Sequence, residues 1–118
     1  MSKYMQIDIR IIPFYKENFA KTFPRIFAFF KEVGYESYVS KDRSLYELVD
    51  VLQDVVKDPA ISDNFRDKLG PFYQRAIEIK KEAREMLLSR KLNELDKLLY
   101  QLEDVFEDLN EEIAYWLR

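Results

Sequence analysis

Residues 92–116 read LNELDKLLYQLEDVFEDLNEEIAYW. Leu92, Leu95, Leu99, Leu102, Phe106, Leu109, Ile113 and Trp116 step by three and four. Such spacing puts one apolar seam along a helix and makes a heptad repeat. The same stretch pairs its acids as Glu103-Asp104, Glu107-Asp108 and Glu111-Glu112. Carboxylates spaced a turn apart can hold a divalent cation, or they can be the wet back of the helix. At about 100° per residue, Asp104, Glu107, Asp108 and Glu111 fall nearly opposite the seam, with Glu103 and Glu112 at its shoulders. They are therefore expected to be solvated charges, and the seam is expected to do the packing.

Working upstream, a second seam runs through Phe72, Ala76, Ile79, Ala83 and Met86. It is out of phase with the first: stepping the later seam backwards soon lands on Glu85, Lys81 and Glu78. The helix is expected to break near SRKLN, 89–93, with Asn93 as a cap, giving an antiparallel hairpin. Without a break, the chain beyond Pro71 would form a rod of about 70 Å, at 1.5 Å per residue, too long for the rest of the chain to cover.

Further upstream, Gly70-Pro71 is read as the end of a short helix over about 60–69 and the start of the next. Ser44-Leu45-Tyr46-Glu47 fits a capping box. Leu45, Leu48, Val49, Leu52, Val55 and Val56 then form a stripe that Asp58-Pro59 stops. Pro13 suits the first turn of another helix, whose stripe is Tyr15, Phe19, Phe23, Ile26, Phe30 and Val33. Pro24 must kink or restart that helix, with Thr22 as a possible cap, and Gly34 suits its C-terminus. Residues 6–12 are ambiguous. Ile7, Ile9 and Ile11 alternate as in a short β-strand, with YESYV, 35–39, as its internal partner, yet Tyr4, Ile7 and Ile11 also fit a helical stripe.

The expected fold is mainly α: a four- to five-helix bundle in one domain, residues 1–118, with a long C-terminal helical hairpin and a possible N-terminal strand. The 118 residues, 47% of them apolar, are enough for one core without staples. Two glycines and four prolines are few for an all-β chain. Cysteine and histidine are both absent. That removes disulfides, thiol nucleophiles, thiolate metal sites, histidine-based triads and imidazole bases. Carboxylate-held Mg²⁺ or Mn²⁺ is the main catalytic chemistry left. No apolar leader and no apolar run of about 20 residues is visible, so a cytoplasmic protein that crosses no membrane is expected. No Gly-rich phosphate loop or dinucleotide fingerprint is present, and no cofactor is expected.

Three sets of candidate site residues remain. Glu47-Leu48-Val49-Asp50 and Glu103-Asp104-Val105-Phe106-Glu107 are loosely similar to the ExxD and EExxE metal motifs of all-α nucleoside-triphosphate pyrophosphohydrolases, in reversed chain order. The resemblance implies Mg²⁺ on Glu47, Asp50, Glu103 and Glu107. Lys80, Lys81, Arg84 and Lys91 lie on a stripe with Tyr73, Ile77 and Leu88 that suits phosphate or nucleic acid. Lys16, Lys21, Arg25 and Lys31 with Phe14 and Tyr15 form a second aromatic–basic mixture. Set against both, the net charge is −3, whereas nucleic-acid binders are normally basic. The third set is Phe27 and Phe29 beside a wide apolar face, with Tyr100 and Tyr115 among the acids, as anchors for a protein partner. The apolar faces exceed what a small bundle needs. The reading preferred on sequence is a non-enzymatic interaction module that self-associates, most simply as a dimer.

Overall fold

The protein is described from a computed structural model, which covers residue 4 and residues 9–116. Among the described residues, five α-helices follow in order: α1 Phe19–Thr22, α2 Pro24–Glu32, α3 Leu45–Lys57, α4 Asp63–Leu88 and α5 Leu92–Trp116. A single 3-10 turn, Glu36–Tyr38, lies between α2 and α3. The helices pack on a common core built from Phe19, Ile26, Phe29, Phe30, Leu52 and Phe106, all essentially inaccessible.

The chain is mainly helical, and there is no strand among the described residues. Residues 9–12 are irregular, and residues 6–8 of the expected strand lie outside the described residues. Its expected partner, YESYV, is instead the 3-10 turn. The turn is local: the Tyr38 and Val39 N–H groups bond back to the Tyr35 and Glu36 carbonyls.

Pro13 opens no helix. Asn18 sets the start of α1 by accepting the Lys21 N–H on its side chain at 2.8 Å, and Asp42 Oδ1 takes the Phe19 N–H at 2.9 Å. Upstream of Asn18, the Tyr15 hydroxyl donates to the Arg43 carbonyl and fixes the segment against the start of α3. Phe23 interrupts the run, and Pro24 restarts it as the first residue of α2. Thr22 does not cap that restart; its hydroxyl donates to the Asn18 carbonyl. Gly34 ends α2 as expected. It has φ +86°, and the Tyr35 N–H closes onto the Phe30 carbonyl at 2.7 Å, the six-to-one bond of a Schellman end.

α3 forms as its sequence indicates. Ser44 Oγ accepts the Glu47 N–H at 3.1 Å, and the helix stops at Asp58. Gly70-Pro71, by contrast, divides nothing: α4 runs straight through both. The apolar face explains why. Phe65, Leu69, Tyr73 and Ala76 continue one stripe across the junction, with Leu69, Tyr73 and Ala76 buried. Burying each large side chain is worth about 1.5–3 kcal/mol, enough together to offset the roughly 3 kcal/mol cost of an interior proline.

The break expected near 89–93 is present. α4 ends in a second Schellman turn: Lys91 N–H bonds to the Met86 carbonyl at 2.9 Å and Arg90 N–H to that of Leu87 at 3.2 Å. Arg90 takes the left-handed position, φ 57°. Asn93 caps nothing, since Leu95 already bonds back to the Lys91 carbonyl. α4 and α5 then run antiparallel in the most extensive contact of the fold. Their partners descend along one helix as they ascend the other: Ala83 packs with Leu95 and Leu98, and Arg75 meets Asp108 at 3.6 Å. The buried face of α5 is Leu95, Leu98, Leu102, Val105, Phe106, Leu109 and Ile113. It is rotated from the expected seam: Leu98 and Val105 go in, Leu99 is half-buried and Leu92 is exposed. A helix that touches α2, α3 and α4 at once needs a wider apolar face than a two-helix seam.

Candidate functional site

An apolar groove of about 190 Å³ opens where the irregular segment 11–15 crosses the first turn of α3 and the middle of α5. Leu45 and Tyr46 form one side and Leu99 and Leu102 the floor, with Glu103 at the rim. Five consecutive residues, Ile11-Ile12-Pro13-Phe14-Tyr15, form the other side. An irregular segment cannot turn five neighbours inward. Ile11 packs on the cluster around Ala83, Leu95 and Leu98, and Tyr15 packs on the main core. Ile12 and Phe14 are left outside, 73% and 94% exposed. Two large apolar side chains thus stand at the lip of an apolar groove.

The rim is negative. Burial of the Glu103 carboxyl, and then the nearby charges of Glu107, Asp104 and Asp96, raise its pKa above the ordinary glutamate value. A cation arriving there would relieve that repulsion. Deeper in, burial is also the largest factor raising the Tyr15 hydroxyl, followed by Asp42 and Glu47, consistent with its role as a donor to Arg43. Ser44 is buried at the groove, with its Oγ committed to the cap and to Glu47 Oε1. Among the described residues of this wall, the Ser44 and Tyr15 hydroxyls are both committed to hydrogen bonds within the fold.

A second, larger hollow of about 390 Å³ lies along α4 and α5 between Arg75, Glu78, Glu82, Gln101 and Asp104. It is open to solvent, and Ile79 and Val105 complete its lining.

The sequence candidates are scattered over the fold. Glu47 and Asp50 are on α3, Glu103 and Glu107 on α5. Among the described residues, no three acids are gathered closely enough to hold a metal ion. Asp50 instead pairs with Lys80 at 3.0 Å. Lys80 is therefore not available to phosphate: its Nζ also donates to the Tyr46 carbonyl at 2.9 Å and sits 4.3 Å over the Tyr46 ring. It ties α4 to α3. Tyr73, from the same stripe, is buried in the core. Lys81, Arg84 and Lys91 are exposed.

Phe29 is inside the molecule, edge-on to Phe65 and Trp116 with ring centroids 5.6 and 5.7 Å away. A partner cannot reach it, because the wide face of α2 is covered by α4 and α5 residues of its own chain. Phe27 is half-buried against the core. Tyr100 and Tyr115 are both exposed on α5, about 22 Å apart at 1.5 Å per residue, so they belong to no common site. Tyr100 is one turn from Glu103. Ile12 of the groove was not a candidate site residue, and Leu45 and Leu99 were expected on the apolar stripes of their helices. The signal was the run IIPFY itself, too apolar for a solvated loop and too short for a helix of its own.

No helix among the described residues is long and apolar enough to cross a membrane. Comparison with protein-family models, with curated proteins and with solved structures finds no match to this chain.

Proposed function

We propose that this chain is a small non-enzymatic protein-interaction module of the cytoplasm, a helical bundle that pairs with a second copy of itself and serves as an assembly subunit or adaptor. The observation that carries the reading is the groove with Ile12 and Phe14 at its lip. Elsewhere the phenylalanines of the described chain are buried or half-buried, so a nearly bare Phe14 is an exception. Fully covering one such side chain is worth about 1.5–3 kcal/mol, and Ile12 adds a comparable amount. Together they supply a useful fraction of the roughly 8 kcal/mol of a micromolar complex.

Sedimentation equilibrium of the purified chain tests it. A dimer in the micromolar range is expected, and Ile12→Ser with Phe14→Ser should leave a folded monomer. Both side chains are exposed in the single chain, so the double variant should match the urea midpoint of the wild type measured below its dimer Kd. A wild-type chain that stays monomeric at several hundred micromolar would overturn the proposal.

A further inference from the structure

The other end of the hairpin carries its own apolar exposure. Leu88 ends α4, Leu92 begins α5, and they are 71% and 53% exposed. Between them the tight turn holds Arg90 and Lys91, both exposed. The tip is therefore two leucines beside two cations. The groove is an apolar hollow with an acidic rim. Each has the chemistry that the other lacks.

We propose that the hairpin tip of a second copy fills the groove, its Leu92 entering against Leu99 and Phe14, its Leu88 covering the lip, and its Arg90 and Lys91 meeting Glu103. This rests on the self-association proposed above and names the surfaces that make it. The hollow has room for roughly six waters at ~30 Å³ each, enough for the four-carbon side chain of a leucine. A chain cannot fill its own groove. Leu92 and Leu102 lie on one rigid helix, about 15 Å apart at 1.5 Å per residue. Two chains can fill each other's. Leu92 and Leu99 are seven residues apart and share one stripe of α5, so tip and groove open to the same side. A twofold axis across α5 between them sets each tip over the other groove in one step. The contact closes as a dimer and does not propagate into a filament.

Charge reversal tests the pairing. Glu103→Lys alone sets cation against cation at both contacts, and Arg90→Glu alone sets anion against anion. Each is expected to raise the dimer Kd tenfold or more, since like charges facing each other are strongly disfavoured. An equal mixture of the two variants restores opposite charges at both contacts and should recover association to within about threefold of wild type. Lys91→Glu provides a tip variant that leaves the left-handed Arg90 in place, and it should weaken the homodimer in the same direction. Urea melts confirm that each variant is folded. A dimer indifferent to Arg90 and Lys91 but lost on changing Ile12 and Phe14 would overturn the tip as the occupant and leave the groove's role standing. Failure of the mixture to recover would also overturn the tip. A monomeric wild type would overturn both readings.

Discussion

Asn110 of α5 caps a helix to which it is not covalently near. Its Oδ1 accepts the backbone N–H of Arg25 at 3.1 Å and of Ile26 at 3.2 Å. These are the second and third residues of α2, whose own flanking residue, Phe23, makes no side-chain cap. The first N–H groups of any helix lack intrahelical partners, and here a residue more than eighty positions away supplies one. Asn110→Ala should therefore cost about 1–2 kcal/mol, at the upper end of cap deletions because two donors are stranded. Asn110→Asp keeps the acceptor and adds a favourable charge at the helix start, so it should hold stability near wild type. Urea denaturation of the two variants checks this; equal losses would mean that the oxygen is not acting as a cap.

Gly70 offers the opposite experiment. It lies inside α4, and a Cβ added there meets nothing within 4 Å. A residue with a Cβ is nevertheless disfavoured in helical backbone directly before a proline, because the proline Cδ presses on it. Gly70 thus eases the passage of α4 through Pro71, and Gly70→Ala should gain less than the about 0.5–1 kcal/mol of an ordinary helical site. In a Pro71→Ala background the full gain is expected; urea denaturation checks this, and equal gains in both backgrounds would overturn it.

Tyr35 and Asp58 make the fold sensitive to pH at both extremes. The Tyr35 hydroxyl donates to Asp58 Oδ2 at 2.8 Å, and Asp58 Oδ1 takes the Ala60 N–H at 2.8 Å. The Ala60 N–H, then the Tyr35 hydroxyl, hold the Asp58 carboxyl below the ordinary aspartate value. Its contribution is present above the unfolded value of about 3.9 and is lost as pH falls through the depressed folded value. For Tyr35, burial and then the Asp58 bond push the hydroxyl from 10.0 up to about 12. The folded chain keeps that proton while the unfolded chain releases it, so stability declines as pH rises from 10.0 towards 12. Asp58→Asn should flatten the acid limb of a pH–stability curve, and Tyr35→Phe should flatten part of the alkaline limb. Tyr15 and Tyr46 are also raised and act in the same direction.

Lys80 is the polar bolt between α3 and α4. Of its contacts, the bond to the half-buried Tyr46 backbone and the packing over that ring matter more than the pair with Asp50, whose side chain is largely in water. Lys80→Ala should cost about 1.5–3 kcal/mol, the range for hydrogen bonds to charged groups. Asp50→Asn should cost under about 1 kcal/mol, as exposed ion pairs do. Chemical denaturation at two salt concentrations separates them. A larger loss from Asp50→Asn would reverse the ranking.

What was legible in the sequence follows from how local each signal is. Ser44 opens α3 and Asp58-Pro59 stops it, because a cap and a stop are settled within four residues. Gly34 is legible for the same reason, since its positive φ is one that a residue with a side chain rarely adopts. The hairpin break could be read because two apolar seams out of phase cannot share one straight helix. In the candidate site, Glu103 and the acids around it could be listed in advance, but the groove that Glu103 borders could not.

The amino-acid order by itself determined a mainly helical chain, the ends of α3, the end of α2 and the turn between α4 and α5. Only the tertiary structure decided that α4 passes through Gly70-Pro71, that Phe29 goes inside while Phe14 stays outside, that Lys80 serves α3, and that Asn110 caps α2. The physical reason is common to all four. At these positions local preferences are weak or opposed, by at most a few kcal/mol, and the balance is set by which distant surface arrives to bury a ring or accept a proton.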